Sequence, residues 1–184
     1  MSFYTIEELK QLQLGSVGEY VLISRKASLH NPKNIHIGNY VRIDDFCVLS
    51  AGKGGIHIGN HVHIAVYSSL IGAESISIQD FSNVSSRVSI YSSNDDYSGM
   101  YMSNPMIPSH LTNVDHGAVT IGKHTIIGSG SIVLPHVNLE QGVVIGALSL
   151  VKTDCTAFGI YGGVPANRIG ERKRNLLELA EKMK

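Results

Sequence analysis

Two adjacent carboxylates, Asp95 and Asp96, stand in a stretch that breaks the pattern of the rest of the chain. On an extended segment, neighbouring side chains point opposite ways. One of the pair can therefore face a reacting group while the other stays in water. A loop aspartate so placed can hold an amine or accept its proton. Tyr97 follows directly, and His110 and His116 lie further along the same stretch. An imidazole base from the loop, His116 first, is thus a second possibility. Most of the other histidines (His36, His57, His61, His63, His124 and His136) are read as outer-surface residues. An open three-histidine zinc site on a repeat scaffold would combine one histidine with a pair five apart, and no two histidines here have that spacing. No metal is expected.

The elements that carry these residues follow from a repeat of six. Aliphatic residues open hexapeptides at Val17, Ile23, Leu29, then Ile37, Ile43, Leu49, then Ile58, Ile64, Leu70, then Ile78, Val84, Ile90, and from Ile121 onward without a break to Val151. A period of six suits neither a helix nor an isolated strand. It marks a stacked β-coil with one flat face per hexapeptide. Between trios the spacing widens to eight, nine, eight and thirty-one residues, always after the third unit. Three hexapeptides then make one triangular coil, and every insertion leaves from one edge. The long excursion, residues 91–119, is the fourth of these. The fifth positions (among them Val21, Val41, Cys47, Val62, Ser68 and Cys155) are small, as a narrow interior demands. Arg42, His63 and Asn83 share the sixth position of successive first units and form one polar column, a candidate lining for a substrate site.

The expected organisation is a short N-terminal helix in residues 1–16, a β-helix over 17–166 with the loop 91–119, and a C-terminal helix over 167–184. Thr5 with Glu8 has capping-box spacing. Leu176, Leu177, Ala180 and Met183 give the last segment an apolar face. The formal net charge is +0, which leaves no bulk electrostatic footprint for nucleic acid. No run of about 18 apolar residues is present, so no membrane span is expected. The first ten residues carry Glu7 and Glu8 and no apolar run, so no leader is expected and the cytoplasm is the default location. Cys47 and Cys155 are 108 positions apart and are read as buried small side chains.

The repeat, the single long loop and the exit GGVPANRI together resemble the hexapeptide-repeat acyltransferases, across Val17 to Arg174. The resemblance implies an all-β fold, a left-handed parallel β-helix, and a homotrimer with active sites between subunits. The period of six does not itself choose a hand. Within that family the chain is similar to sugar acetyltransferases, both of galactosides and of nucleotide-linked amino sugars used in bacterial surface polysaccharides. The segments DDYSG and NPMIP resemble the latter group.

The activity implied is acyl transfer from acetyl-CoA, or another acyl-CoA, to a sugar. The favoured acceptor is the amine of a nucleotide-linked amino sugar serving O-antigen synthesis, and a galactoside-type hydroxyl is the alternative. Many members carry a histidine base at the sixth position counted from the last unit before the loop. Counted from Ile90, that position is Asp95. A neutral amine needs a weaker base than a hydroxyl, which favours the amino-sugar acceptor. By the same resemblance the backbones of Ser129 and Ala147 meet the pantetheine arm, with the Ser129 N–H at the oxyanion. Lys152, Arg168 and the cluster from Arg172 to Arg174 are the phosphate candidates. His63, Asn83 and Tyr97 are the substrate candidates. A β-helix without chemistry, of the ice-binding kind, would want regular threonine ladders and no 29-residue loop.

Overall fold

The computed structural model describes residues 2–183; Met1 and Lys184, the outer ends of the two terminal segments, lie outside the described residues. β-Branched and aliphatic side chains every sixth residue favour short strands, and a strand forms at almost every one. The strands stack into three sheets of six, eight and six members, one for each face of a triangular coil. In the first sheet Ile37 pairs with Ile58, Ile58 with Ile78, and Ile78 with Ile121. The second aligns Ile23, Ile43, Ile64, Val84, Ile127 and Ile145 in one ladder. None of those six is more than 1% exposed. The third aligns Leu49, Leu70, Ile90, Val133 and Val151.

The fifth positions point into the narrow interior and are buried. Serine is tolerated there because each hydroxyl donates to a corner carbonyl: Ser68 to Ser85, Ser82 to Gly122, and Ser131 and Ser149 to Gly146. Burial is the main cause that pushes the thiols of Cys47 and Cys155 up to about 11. They are packing residues, not nucleophiles.

The corners carry a feature absent from the hexapeptide pattern. Tyr20, Tyr40, His61, Phe81 and His124 turn the corner between the first and second sheets with φ between 54° and 61°. Large residues rarely adopt this left-handed conformation. Here each ring lies on the next, with centroids 4.7–5.0 Å apart and planes within 11° of parallel. Stacking offsets part of the backbone strain. Beside the rings, Asn39, Asn60 and Asp80 accept the backbone N–H of Glu19, Asn39 and Asn60 in turn. The insertions Asn31–Lys33, Gly52–Gly55 and Gly72–Ser75 all lie at the corner between the third and first sheets, as the spacing implies.

Helix α1 (Ile6–Gln11) has the expected capping box, with Glu8 N–H donating to Thr5 and Thr5 N–H to Glu8. It ends at a Leu12 cap, short of Gly15, and buries Leu9. Glu8 also takes two bonds of 2.6 Å from the Arg25 guanidinium.

The C-terminal expectation needs correction. Residues Asn167–Glu171 form a strand, antiparallel to Gly159–Gly162, and helix α2 is confined to Asn175–Glu181. The last coil leaves the open edge of the second sheet with unpaired N–H and C=O groups. The Gly163–Ala166 turn folds the next segment back onto that edge. Edge pairing takes residues 167–171, where Asn167 and Gly170 are poor helix formers.

Ile64→Ala should lower the unfolding free energy by about 2–5 kcal/mol, read from the urea midpoint, because a fully buried ladder position cannot refill. Ile6→Ala, at a site 69% exposed, should stay within about 0.5 kcal/mol. The Arg25 guanidinium, and after it the Thr5 N–H, hold Glu8 down at about 2 from its usual 4.5. A carboxyl lowered on folding stabilises fully above its unfolded value, and that contribution fades as pH falls through the folded one. Acidification from pH 4.5 to 2 should therefore release α1, seen as lost amide protection at Leu9. Glu8→Gln should remove that pH dependence.

Candidate active site

The base of the long loop is stitched shut. Ser93–Asn94 pairs antiparallel with Asp115–His116, setting Ser93 against His116 and Asn94 against Asp115. Ser93 Oγ lies 2.8 Å from His116 Nδ1, and His136 Nε2 lies 2.9 Å from Asp115. This short ribbon fixes where the next two residues emerge, and it separates the two aspartates. Asp96 accepts the Ser98 N–H at 2.5 Å and the Asn113 side-chain amide at 3.2 Å. The Ser98 bonds, then the Asn113 bond, hold its carboxyl below the usual range. It acts as a turn brace.

Asp95 is exposed and has no hydrogen-bond or ion-pair partner among the described residues. It opens on a groove of about 540 Å³ walled by Tyr91, Asn94, Tyr97, Ile132, Leu134 and Leu150. Tyr97 is 85% exposed and donates its hydroxyl to Asn94 Oδ1 at 3.1 Å. His116 stands in the ribbon two residues across from the aspartates, with Nδ1 turned to Ser93.

The polar column forms as the phasing requires, with Arg42, His63 and Asn83 in register on the second sheet. Its organiser is a residue the sequence reading missed. Asp44 is 5% exposed and bonds both Arg42 Nε at 2.7 Å and His63 Nε2 at 2.9 Å. Asn83 Oδ1 lies 3.2 Å from His63 Nδ1. The signal was a carboxylate at the second position of a hexapeptide, where other coils hold Ala65, Ser85, Gly128 and Gly146.

Those second positions form the corner between the second and third sheets. In the upper coils it is nearly stripped of side chains, as Gly128–Ser129–Gly130 and Gly146–Ala147–Leu148. A Cβ on Gly128 would come 2.5 Å from the Ala147 nitrogen, so only glycine permits this coil spacing. The N–H groups of Ser86, Ser129 and Ala147 have no partner among the described residues. Outward N–H groups on a smooth edge suit the amide carbonyls of an extended arm.

The phosphate candidates divide. Lys152 is exposed, stacked beyond Leu134 at the far edge of the third sheet from Ala147. Arg168 lies in the antiparallel strand, bonded to Glu171 at 2.5 Å. Arg172 donates to the carbonyls of His124 and Gly142, and Arg174 lies 4.6 Å over the Phe158 ring. Those two arginines dock the hairpin on the coil. The three-His/Cys/Asp/Glu groupings a metal would need are absent among the described residues, and no helix there is long and apolar enough to cross a membrane.

A coiled scaffold with a bare N–H edge and a loop carboxylate defines an acyl-transfer enzyme. The chain belongs to the hexapeptide-repeat acyltransferases. It is 59% identical, over 97% of its length and 93% of the relative's, to a dTDP-4-amino-4,6-dideoxy-D-glucose acyltransferase of Escherichia coli. It is 30% identical, over 80% of its length and 74% of the relative's, to WbbJ of Escherichia coli K12, described as a putative lipopolysaccharide biosynthesis O-acetyl transferase. Among solved structures, AntD of Bacillus cereus, an N-acyltransferase in complex with dTDP-4-amino-4,6-dideoxyglucose and coenzyme A, matches at TM-score 0.96 and 47% identity, covering 99% of this chain and 97% of that one. Other forms of AntD carry 3-hydroxybutyryl-CoA, or replace one aspartate or one serine that lie ten positions apart in its sequence. No protein-family model matches. The coil is the left-handed parallel β-helix of these enzymes, and the co-substrate is an acyl-CoA.

Asp96→Ala should loosen the loop, raising its rate of limited proteolysis between residues 96 and 113. Asp95→Ala should leave that rate unchanged, since Asp95 holds nothing in place. Equal effects of the two would contradict the division of roles.

Proposed function

We propose that this protein transfers an acyl group from acyl-CoA to the amine of a nucleotide-linked amino sugar used in surface-polysaccharide synthesis. The observation that carries the reading is Asp95, unpartnered and open on a groove, beside an Asp96 that is fully engaged. The relatives support the acceptor class, and WbbJ supports the polysaccharide setting.

Asp95 accepts an N–H of the neutral acceptor amine and aims its lone pair at the thioester carbon. As the C–N bond forms, the carbonyl oxygen gains charge and takes the Ser129 N–H. The tetrahedral species collapses with cleavage of the C–S bond. The proton shed by nitrogen passes by way of Asp95 to the departing CoA thiolate. Ser129 and Ala147 line the pantetheine, Lys152 and Arg168 lie toward its phosphates, and His63, Asn83 and Tyr97 contact the sugar nucleotide. His116 orients the loop ribbon.

The aspartate–serine spacing of the AntD variants recurs here as Ser85 with Asp95 and as Ser86 with Asp96. The bracing of Asp96 favours the first pair. Ser85 sits at the corner before strand Ser89–Tyr91 and Asp95 beyond it. A turn at Ser86 and Arg87 and the strand Ser89–Tyr91, one face of the coil, separate them. The proposed site takes Asp95 from one subunit and Ser85 from another, in a homotrimer working in the cytoplasm, and their placement at opposite ends of that face supports this reading.

Asp95→Asn should lower kcat at least about tenfold, the low end for losing a general base, with KM for acyl-CoA little changed. Full activity would remove Asp95 from the mechanism. Co-refolding Asp95→Asn chains with Ser85→Ala chains should give activity above either alone. A monomer by light scattering at micromolar concentration would refute the shared site. Thiol release from acetyl-CoA and 3-hydroxybutyryl-CoA, measured against nucleotide-linked amino sugars and plain galactosides, tests the acceptor. Turnover of galactosides alone would overturn it.

A further inference from the structure

The corner between the second and third sheets holds a second ring ladder, and its end is unfinished. Phe46 and Tyr67 stack with centroids 4.9 Å apart. A cation caps each side: Lys26 lies 5.2 Å from the Phe46 centroid and the Arg87 guanidinium 5.5 Å from that of Tyr67. Lys26 is also ion-paired, with Asp45 at 3.4 Å. Arg87 has no hydrogen-bond or ion-pair partner for its guanidinium among the described residues.

Arg87 also holds its backbone at φ 60°, a conformation an arginine adopts only where its surroundings impose it. The next residue up this column is Gly130, which carries no side chain of its own, and Arg87 is exposed. A Cβ at Gly130 would lie 2.7 Å from Leu148 Cδ2, so the gap is enforced by packing. Beside Arg87 is the unpartnered N–H group of Ser86, the residue before it.

A guanidinium stacked on the Tyr67 ring beside the free Ser86 N–H is a receptor for a phosphate oxyanion. Both substrates of the reaction carry phosphate, and position on the corner separates them. The stripped edge for the coenzyme runs upward from Ser129 to Ala147. Arg87 lies at the lower end, in the coil that carries Asn83 and Ser85. It is two residues round the corner from Ser85, an offset suited to one hexose ring between an amine and a glycosyl phosphate.

We propose that Arg87 binds the diphosphate of the nucleotide-linked acceptor and sets the enzyme's preference for nucleotide-linked over free amino sugars. This rests on the function proposed above, and calorimetry with unreactive ligands separates the two. The wild-type enzyme should bind dTDP more tightly than thymidine. Arg87→Gln should weaken dTDP by about tenfold or more, the loss of a charge-assisted hydrogen bond, while thymidine and CoA bind as before. Arg87→Lys should recover part of the loss, since it keeps the charge without the fork. At saturating acceptor, kcat of Arg87→Gln should stay near wild type while KM for the nucleotide sugar rises. An unchanged melting temperature controls for folding. If Arg87→Gln binds dTDP as the wild type does, or weakens CoA instead, Arg87 does not serve the acceptor. If the wild type does not bind dTDP at all, the acceptor class itself is wrong.

Discussion

The structure depends on in-register stacking of aliphatic ladders about 4.8 Å apart, the spacing that backbone hydrogen bonds between strands impose. Each ladder is dry only if every coil presents the same type of side chain at the same height. Ile43, Ile64, Val84 and Ile127 meet that requirement in consecutive coils of one sheet. The constraint also fixes the interior width. At the fifth positions the three faces leave room only for small inward side chains, and Ser68, Ser82, Ser131 and Ser149 survive inside because corner carbonyls accept their hydroxyls. A core this narrow has no cavity for a substrate. Chemistry is forced onto the outer edges.

The two smooth edges are finished differently in their side chains. At the first corner the outward N–H groups of Glu19, Asn39 and Asn60 are filled by the side chain one coil above. In those three coils that edge satisfies itself, and five stacked rings run beside it. At the second corner the amide ladder is missing, glycine and alanine replace it, and the N–H groups of Ser86, Ser129 and Ala147 remain open. Unfilled donors on an exposed edge are available to a ligand at no cost in displaced protein bonds. The third corner takes the insertions, of which the longest carries Asp95 outward from the coil. Asp95 and the open N–H groups thus lie on separate edges of one chain, which supports the proposal of a site shared between copies.

Much of this was legible in one dimension because the fold is nearly one-dimensional. The spacing of Ile37, Ile58, Ile78 and Ile121 gave the coil, and the eight- and nine-residue gaps located the insertion edge. The parallel stack of His36 on His57, with centroids 4.9 Å apart, follows from the same count. Asp95 was identifiable by its position relative to Ile90. The reading failed where a partner distant in sequence decides. Arg172 and Arg174 looked like phosphate ligands, but a carbonyl pair and the Phe158 ring hold them. Residues 167–171 were read as part of the terminal helix, but an open sheet edge took them.

The sequence by itself therefore determined the coil, its phase, the edge that bears the loop and the residue types at each corner, because a six-residue repeat converts position in the chain directly into position in space. Only the tertiary structure decided which aspartate is free, which arginines are already engaged, and that Asp44 ties Arg42 to His63. Those outcomes depend on which donors and acceptors remain after all others have paired, and pairing across coils or across a loop is set by distances that composition and spacing do not contain.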